Sequence, residues 1–265
     1  MLHAIDLSVE FGTRRVLDRL SVTADAGALT AIVGPNGSGK TTLLRALTGE
    51  VRYQGRITLN GQDVAKTAPV LLAAQRAVLP QKTALAFPFT AFEVVRIGQT
   101  SGRHTARHLP MQALERCGVA HLADQPYQLL SGGEQARVQL ARVLVQVWEP
   151  CPQGQPCWLF LDEPVASLDI AHQILVMEIA RAFADQGGGV IAVMHDLNLT
   201  AMFADQVLLM DGGRVRAAGE TGDVFTRDNL SAAYRCDIDP ARRLAPDAPM
   251  ILPQCVRVAS AGVLS

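Results

Sequence analysis

The stretch LLSGGEQARVQLAR, Leu129 to Arg142, decides how the chain is read. Ser131 is followed three residues later by Glu134, the spacing of a capping box, so a helix starts here with its first amides reciprocally satisfied. Val138, Ala141, Leu144 and Val145 recur at helical spacing and give that helix a buried stripe. Gly132 and Gly133 in its first turn are not needed for capping. They cost helix stability and leave backbone amides bare at the positive end of the helix dipole. Such an end suits an anion, and the rest of the chain has to say which one.

Upstream, Gly34-Pro35-Asn36-Gly37-Ser38-Gly39-Lys40-Thr41 lies between the apolar run Ala28 to Val33 and the helical stretch TTLLRALTG, and fits the phosphate-loop pattern G-x-x-x-x-G-K-[ST]. Glycines let backbone amides converge on phosphates with no Cβ in the way. Lys40 supplies a point charge to the β and γ phosphates, and the Thr41 hydroxyl can ligate Mg2+. The loop therefore predicts nucleotide binding.

Downstream, Asp162 and Glu163 end the apolar strand WLFL. Ligands of open parallel sheets sit outside the carboxyl ends of strands, so both carboxylates should face the nucleotide. Asp162 suits holding Mg2+, directly or through water. Glu163 is placed to polarise an attacking water as general base. Without the phosphate loop, the pair would read as an acidic turn before Pro164. His195 ends another strand and Gln81 follows VLP; taken singly, both read as local hydrogen-bonding residues.

The 265 residues are 49% hydrophobic and 18% charged, with a formal net charge of -1, which describes a folded globular chain with nothing pointing to nucleic acid. Five irregularly spaced cysteines (Cys117, Cys151, Cys157, Cys236, Cys255) form no zinc pattern and read as free thiols. The opening MLHAIDLSVEFG predicts no signal peptide, and no apolar run approaches a membrane span. Ile5, Leu7, Val9 and Phe11 alternate with Asp6, Ser8 and Glu10, predicting a half-buried antiparallel strand. Asn60-Gly61 marks a turn, Gly49 ends the helix after the phosphate loop, and Thr90 with Glu93 forms a second capping box. QVLLMDGGRVRAAG reads as a hairpin, and GDVFTRDNLSAAYR as helical.

The ordered set of motifs resembles the nucleotide-binding subunit of ATP-binding cassette (ABC) transporters over roughly the first 235 residues. Gly34 to Thr42 matches the family's Walker A, Leu130 to Gln135 its signature and Leu159 to Glu163 its Walker B; Phe11 corresponds to the adenine-stacking aromatic, Gln81 to the Q-loop, Ser167-Leu168-Asp169 to the D-loop and His195 to the switch histidine. The resemblance implies an α/β P-loop NTPase core of mainly parallel sheet, an N-terminal antiparallel β subdomain, and a helical subdomain at roughly 83–148 within an ATPase domain of 1–240; the tail 241–265 has no assigned role. It also implies ATP and Mg2+ (Thr41, Gln81, Asp162), and catalysis involving Glu163, His195 and Gln81. The nucleotide would lie in a head-to-tail sandwich between one copy's Walker A and the signature (Ser131, Gly132, Gly133) of a second copy, with Asp169 communicating across the interface. On this reading the anion awaited at Ser131 is the partner's γ-phosphate. Val165 stands where the family often has Thr, at a position with no catalytic role.

The implied assembly adds two transmembrane permease subunits and, indirectly, a periplasmic binding protein, with this chain at the cytoplasmic face of the inner membrane. A P-loop kinase or GTPase would not require LSGGEQ, and no Asn-Lys-x-Asp guanine-reading motif is present. ABC ATPases acting on DNA or ribosomes usually carry two cassettes or a coiled-coil insertion. Within the transporters, AFPFTAFEVVRIG and AAGETGDVFTRDNLSAAYRCDI resemble the metal-chelate importers of siderophores, haem and vitamin B12. The added loop EPCPQGQPC is most like that of the haem-importing members, although the B12 members also lengthen this stretch. His104 and His108 stand four apart, but in a basic, loop-like stretch that reads as solvated surface, and Cys151 and Cys157 read as reduced thiols of an exposed loop.

Overall fold

The computed structural model describes residues 1–81, 87–101 and 106–241. The strands are β1 (Leu2–Phe11), β2 (Arg14–Ala24), β3 (Leu29–Val33), β4 (Gln54–Leu59), β5 (Gln62–Asp63), β6 (Arg76–Leu79), β7 (Trp158–Asp162), β8 (Gly189–Val193), β9 (Gln206–Asp211) and β10 (Arg214–Glu220). The α-helices are α1 (Lys40–Leu47), α2 (Pro69–Ala73), α3 (Ala91–Ser101), α4 (Leu109–Arg116), α5 (Gly132–Gln146), α6 (Ile170–Asp185), α7 (Leu197–Phe203), α8 (Thr221–Val224) and α9 (Arg227–Tyr234).

Two sheets organise these elements. The larger has the order β10-β9-β3-β8-β7-β6, parallel except for β10 at one edge. Strands β3, β7 and β8 are buried at every position, as a parallel sheet covered on both faces requires. Alternate residues feed two cores. Leu29, Leu159, Leu161, Val190 and Leu209 join the core that includes Val138, Leu144 and Phe183 from α5 and α6. Ile32, Phe160, Ile191 and Leu208 face the other way, onto Leu43 and Leu47 of α1 and Leu2, Leu7 and Ile57 of the smaller sheet. That smaller sheet is antiparallel, in the order β2-β1-β4-β5.

The smaller sheet departs from the sequence expectation at β1. Leu2, Ala4, Leu7 and Val9 are buried, whereas Ile5 is 54% exposed. The cause is a bulge: Asp6 takes a positive φ of 50° and the pairing register shifts between Ala4 and Leu7. One extra residue moves the inward face from even to odd positions. A second irregularity at Arg19 (φ 45°) does the same in β2, leaving Leu17 and Leu20 buried three residues apart. The two kinks are stitched by serines, Ser21 Oγ accepting from the Asp6 amide at 3.2 Å and Ser8 Oγ from the Arg19 amide at 3.0 Å. Opposite the first kink only glycine fits, because a Cβ on Gly55 would lie 2.5 Å from the Ile5 and Asp6 carbonyl oxygens.

Most of the remaining local expectations hold. Gly49 (φ 70°) closes α1 in a Schellman arrangement, its amide donating to Ala46 O and that of Glu50 to Arg45 O. Thr90 and Glu93 cap α3 reciprocally. Asn60 and Gly61, both at positive φ, turn β4 into β5, and Gly212-Gly213 turns β9 into β10. GDVFTRDNLSAAYR forms two helices, α8 and α9, with Thr226 capping the second. The loop between α5 and β7 is not uniformly exposed. Cys157 is buried and Cys151 half-buried, and Asn60 Nδ2 donates to Pro156 O at 2.8 Å while Asn60 Oδ1 accepts from Trp158 Nε1 at 3.1 Å. The loop is thus fastened to the turn of the smaller sheet. Cys117, Cys151 and Cys236 form no disulfide among the described residues, and Cys157 Sγ donates to Ala74 O at 3.9 Å; Cys255 and His104 lie outside the described residues, and His108 is the exposed residue before α4. Among the described residues no helix is long and apolar enough to cross a membrane.

Candidate functional site

Strands β3, β8, β7 and β6 are neighbours running in one direction, so their carboxyl ends come together. The Gly34–Thr42 loop follows β3, Met194-His195 follows β8, Asp162 ends β7 with Glu163 next, and Pro80-Gln81 follows β6. Topology alone therefore assembles four motifs that the sequence keeps far apart.

Their side chains meet. Lys40 is buried, and its Nζ donates to Gly34 O at 2.8 Å and Pro35 O at 3.1 Å, so the loop's own carbonyls hold the ammonium inside the cradle. Burial pushes its pKa down, opposed by the charges of Glu163 and Asp162. Thr41 Oγ1 donates to Asp162 Oδ1 at 3.0 Å. Burial pushes the Asp162 carboxyl above the ordinary carboxylate value, against the pull of the Thr41 hydroxyl. Glu163 sits at φ 53°, and both of its carboxylate oxygens are engaged: Oε2 accepts from Gln81 Nε2 at 2.7 Å, and Oε1 lies 2.6 Å from His195 Nε2. The sequence suggested these three residues one at a time; the fold makes them a single clasp.

In front of the loop lies a depression of about 330 Å³ lined by Phe11, Arg14, Val16, Asn36, Gly37, Gly39, Lys40, Thr41, Thr42, Glu163 and His195. Phe11 is 53% exposed there, free to meet a flat ring. Arg14 and Val16 are absent from the sequence reading because they belong to β2, whose interrupted alternation conceals it. Their signal was only the position of Arg14 across a two-residue turn from Phe11.

The signature residues stand apart from that depression. Ser131 caps α5: its Oγ accepts from the Glu134 amide at 3.4 Å, and Glu134 Oε2 accepts from the Ser131 amide at 2.8 Å and hydroxyl at 2.7 Å. These bonds hold the Glu134 carboxyl below its ordinary value. The two glycines differ. A Cβ on Gly132 would meet nothing within 4 Å, whereas one on Gly133 would come 3.3 Å from Leu168 Cδ2. Gly132 lines a second cavity, of about 360 Å³, whose walls include Gln81, Gln139, Glu163, Ser167 and Leu168. Asp169 caps α6, Oδ1 accepting from the His172 amide at 2.9 Å and Oδ2 lying 2.8 Å from His172 Nδ1. The His172 amide, then its ring, keep the Asp169 carboxyl below its ordinary value.

Residues 17–166 match the ABC transporter family. The hemin import ATP-binding protein HmuV of Ruegeria sp. is 55% identical over 257 residues, covering 97% of this chain and 99% of that protein. Its namesake in Bartonella henselae is 49% identical over 259 residues, covering 96% and 97%. Among solved structures, the chain superposes on a transporter assigned to the metal-chelate type, in an inward-facing conformation, with TM-score 0.71 and 25% identity over 88% of each chain. An ATP-bound exporter of the Atm1 family gives TM-score 0.77 and 28% identity over 91% of this chain and 42% of the exporter chain. By family match and by relatives at about half identity over nearly its whole length, the chain belongs to the ABC transporter family as an ATP-binding subunit that hydrolyses ATP for transport.

Proposed function

We propose that this chain powers hemin import across the bacterial inner membrane, as a peripheral subunit on its cytoplasmic face. It works as a head-to-tail dimer beneath two permease subunits, with a periplasmic binding protein delivering cargo. The observation that carries the cargo is the extent of the likeness to hemin import proteins, 55% identity over 97% of the chain. We assign the ATPase domain to 1–240, with its helical subdomain at roughly 83–148.

Gly34 to Thr42 cradle the phosphates, and Phe11 stacks on the base. Thr41, Asp162 and Gln81 would hold Mg2+. The donor set fits, because a hydroxyl and a buried carboxylate 3.0 Å apart are hard oxygens of the kind Mg2+ takes. When bound, the ion offsets charge on the phosphates. Lys40 leaves the Gly34 and Pro35 carbonyls for the phosphate oxygens. Gln81 leaves Glu163 for the γ-phosphate side, which frees Oε2 to take a proton from the attacking water. His195 stays within reach of both Glu163 and the γ-phosphate. Ser131, Gly132 and Gly133 of the second copy close over that phosphate, with Asp169 beside them.

Vesicles carrying the complete transporter should take up hemin with its cognate binding protein, in an ATP-dependent manner, in parallel assays with a ferric siderophore and cobalamin. Uptake of cobalamin without hemin would reassign the cargo.

A further inference from the structure

The turn Ser167-Leu168-Asp169 is tied down on two sides. Leu168 packs against the signature, its Cδ2 lying 3.3 Å from where a Gly133 Cβ would stand. The first turn of α6 holds the other side: Gln173 Nε2 donates to Leu168 O at 3.0 Å, and His172 engages both oxygens of Asp169, one through its amide and one through its ring. An ordinary N-cap needs only the amide bond. The ring bond adds nothing to the helix ladder; it fixes the rotation of a carboxylate whose side chain is 66% exposed.

We propose that His172 is a positioning residue for ATP turnover, which orients Asp169 through the Nδ1···Oδ2 hydrogen bond so that the turn and the adjoining signature meet a second copy as one unit. The inference rests on the assignment of Asp169 to the interface made above. Asp169 supplies the contact, and His172 acts through it.

The test is a double-mutant cycle on the full chain, comparing Asp169→Ala, His172→Ala, their combination, and His172→Asn, whose amide can reproduce the Nδ1 donor. His172→Ala should lower kcat about tenfold, the scale of one hydrogen bond to a charged group, while KM for ATP stays within about twofold. His172→Asn should recover most of the loss. In the Asp169→Ala background, removing His172 should cost less than about a further twofold. Losses that multiply in the double variant would overturn the proposal, as would wild-type turnover by His172→Ala beside an impaired Asp169→Ala. A silent Asp169→Ala sinks the interface assignment, and His172 falls with it. If His172→Ala merely loosens α6, its thermal midpoint falls, His172→Asn fails to restore kcat, and the positioning role is likewise excluded.

Discussion

The two halves of the proposed site treat their polar groups differently. At the strand ends, one chain satisfies itself: Lys40 rests on two loop carbonyls, Thr41 on Asp162, and Glu163 between Gln81 and His195. At the signature, Ser131 and Glu134 satisfy each other, but Gly132 faces open space and lies outside the Phe11–Lys40 depression. The first half is closed by bonds within the chain, whereas the signature leaves one glycine with no neighbour near its Cβ position. In a composite site this is the expected division, since a helix start reserved for another chain's phosphate must not be filled by its own.

The strongest blow to this division is struck at Glu163. Glu163→Gln should bind ATP normally yet lose about 10²–10⁴-fold in turnover, and should collect as an ATP-bound dimer in gel filtration. Near-normal hydrolysis would remove Glu163 as the base.

Next comes mixing the halves. Homodimers of Lys40→Ala and of Ser131→Phe should each be inactive. Their equimolar mixture should regain about a quarter of wild-type activity, because half of randomly assorted dimers carry one intact site of two. A verified heterodimer with no activity calls for a crosslink between cysteines placed at Ser38 and Ser131; a bond formed only within one chain would end the composite-site reading.

A smaller effect concerns stability. Asp162 is a buried carboxylate with a raised pKa, so its charge costs stability above that pKa, and the cost disappears as pH falls through it towards the unfolded value. Asp162→Asn keeps the acceptor for Thr41 and removes the charge. It should raise the thermal midpoint at neutral pH by about 2–4 °C while abolishing Mg2+-dependent turnover. The gain should shrink towards acid pH; a gain that grows there would contradict the burial argument.

The finest distinction lies between the two glycines. Gly133→Ala should lower the midpoint by roughly 1–3 °C through crowding of Leu168, whereas Gly132→Ala should leave it within about 1 °C. Equal losses would show that the open face beside Gly132 is not open in solution.

Much of this was legible in the residues because it is local. The Ser131–Glu134 and Thr90–Glu93 boxes, the Asn60-Gly61 turn, the strand ending in Asp162 and the strand that stops two residues before His195 each depend on neighbours a few positions away. The antiparallel sheet was legible only in part. Asp6 and Arg19 shift the inward face midway through β1 and β2, so Ile5 reads as core and is exposed, while Leu17 and Leu20 are buried three residues apart. No local rule places a bulge there; Ser8, Ser21 and Gly55 fix it from other strands. The same holds at the site. That Gln81 and His195 grip the two oxygens of one carboxylate follows from β6, β7 and β8 being adjacent, and that Leu168 leans on Gly133 follows from packing between helices. Cys157 was assigned to an exposed loop because prolines and glycines suggest one, while its burial depends on Asn60 reaching across from the other sheet.

That anchored loop offers a practical handle. It enters β7 at the end opposite Asp162, and five residues of strand at ~3.3 Å each put roughly 16 Å between the two. Its tip, Gln153 to Gln155, is exposed, while its base is held by Asn60 and Trp158. A short epitope inserted after Gly154 would therefore tether or label the subunit from behind, leaving the nucleotide face and the signature helix unencumbered.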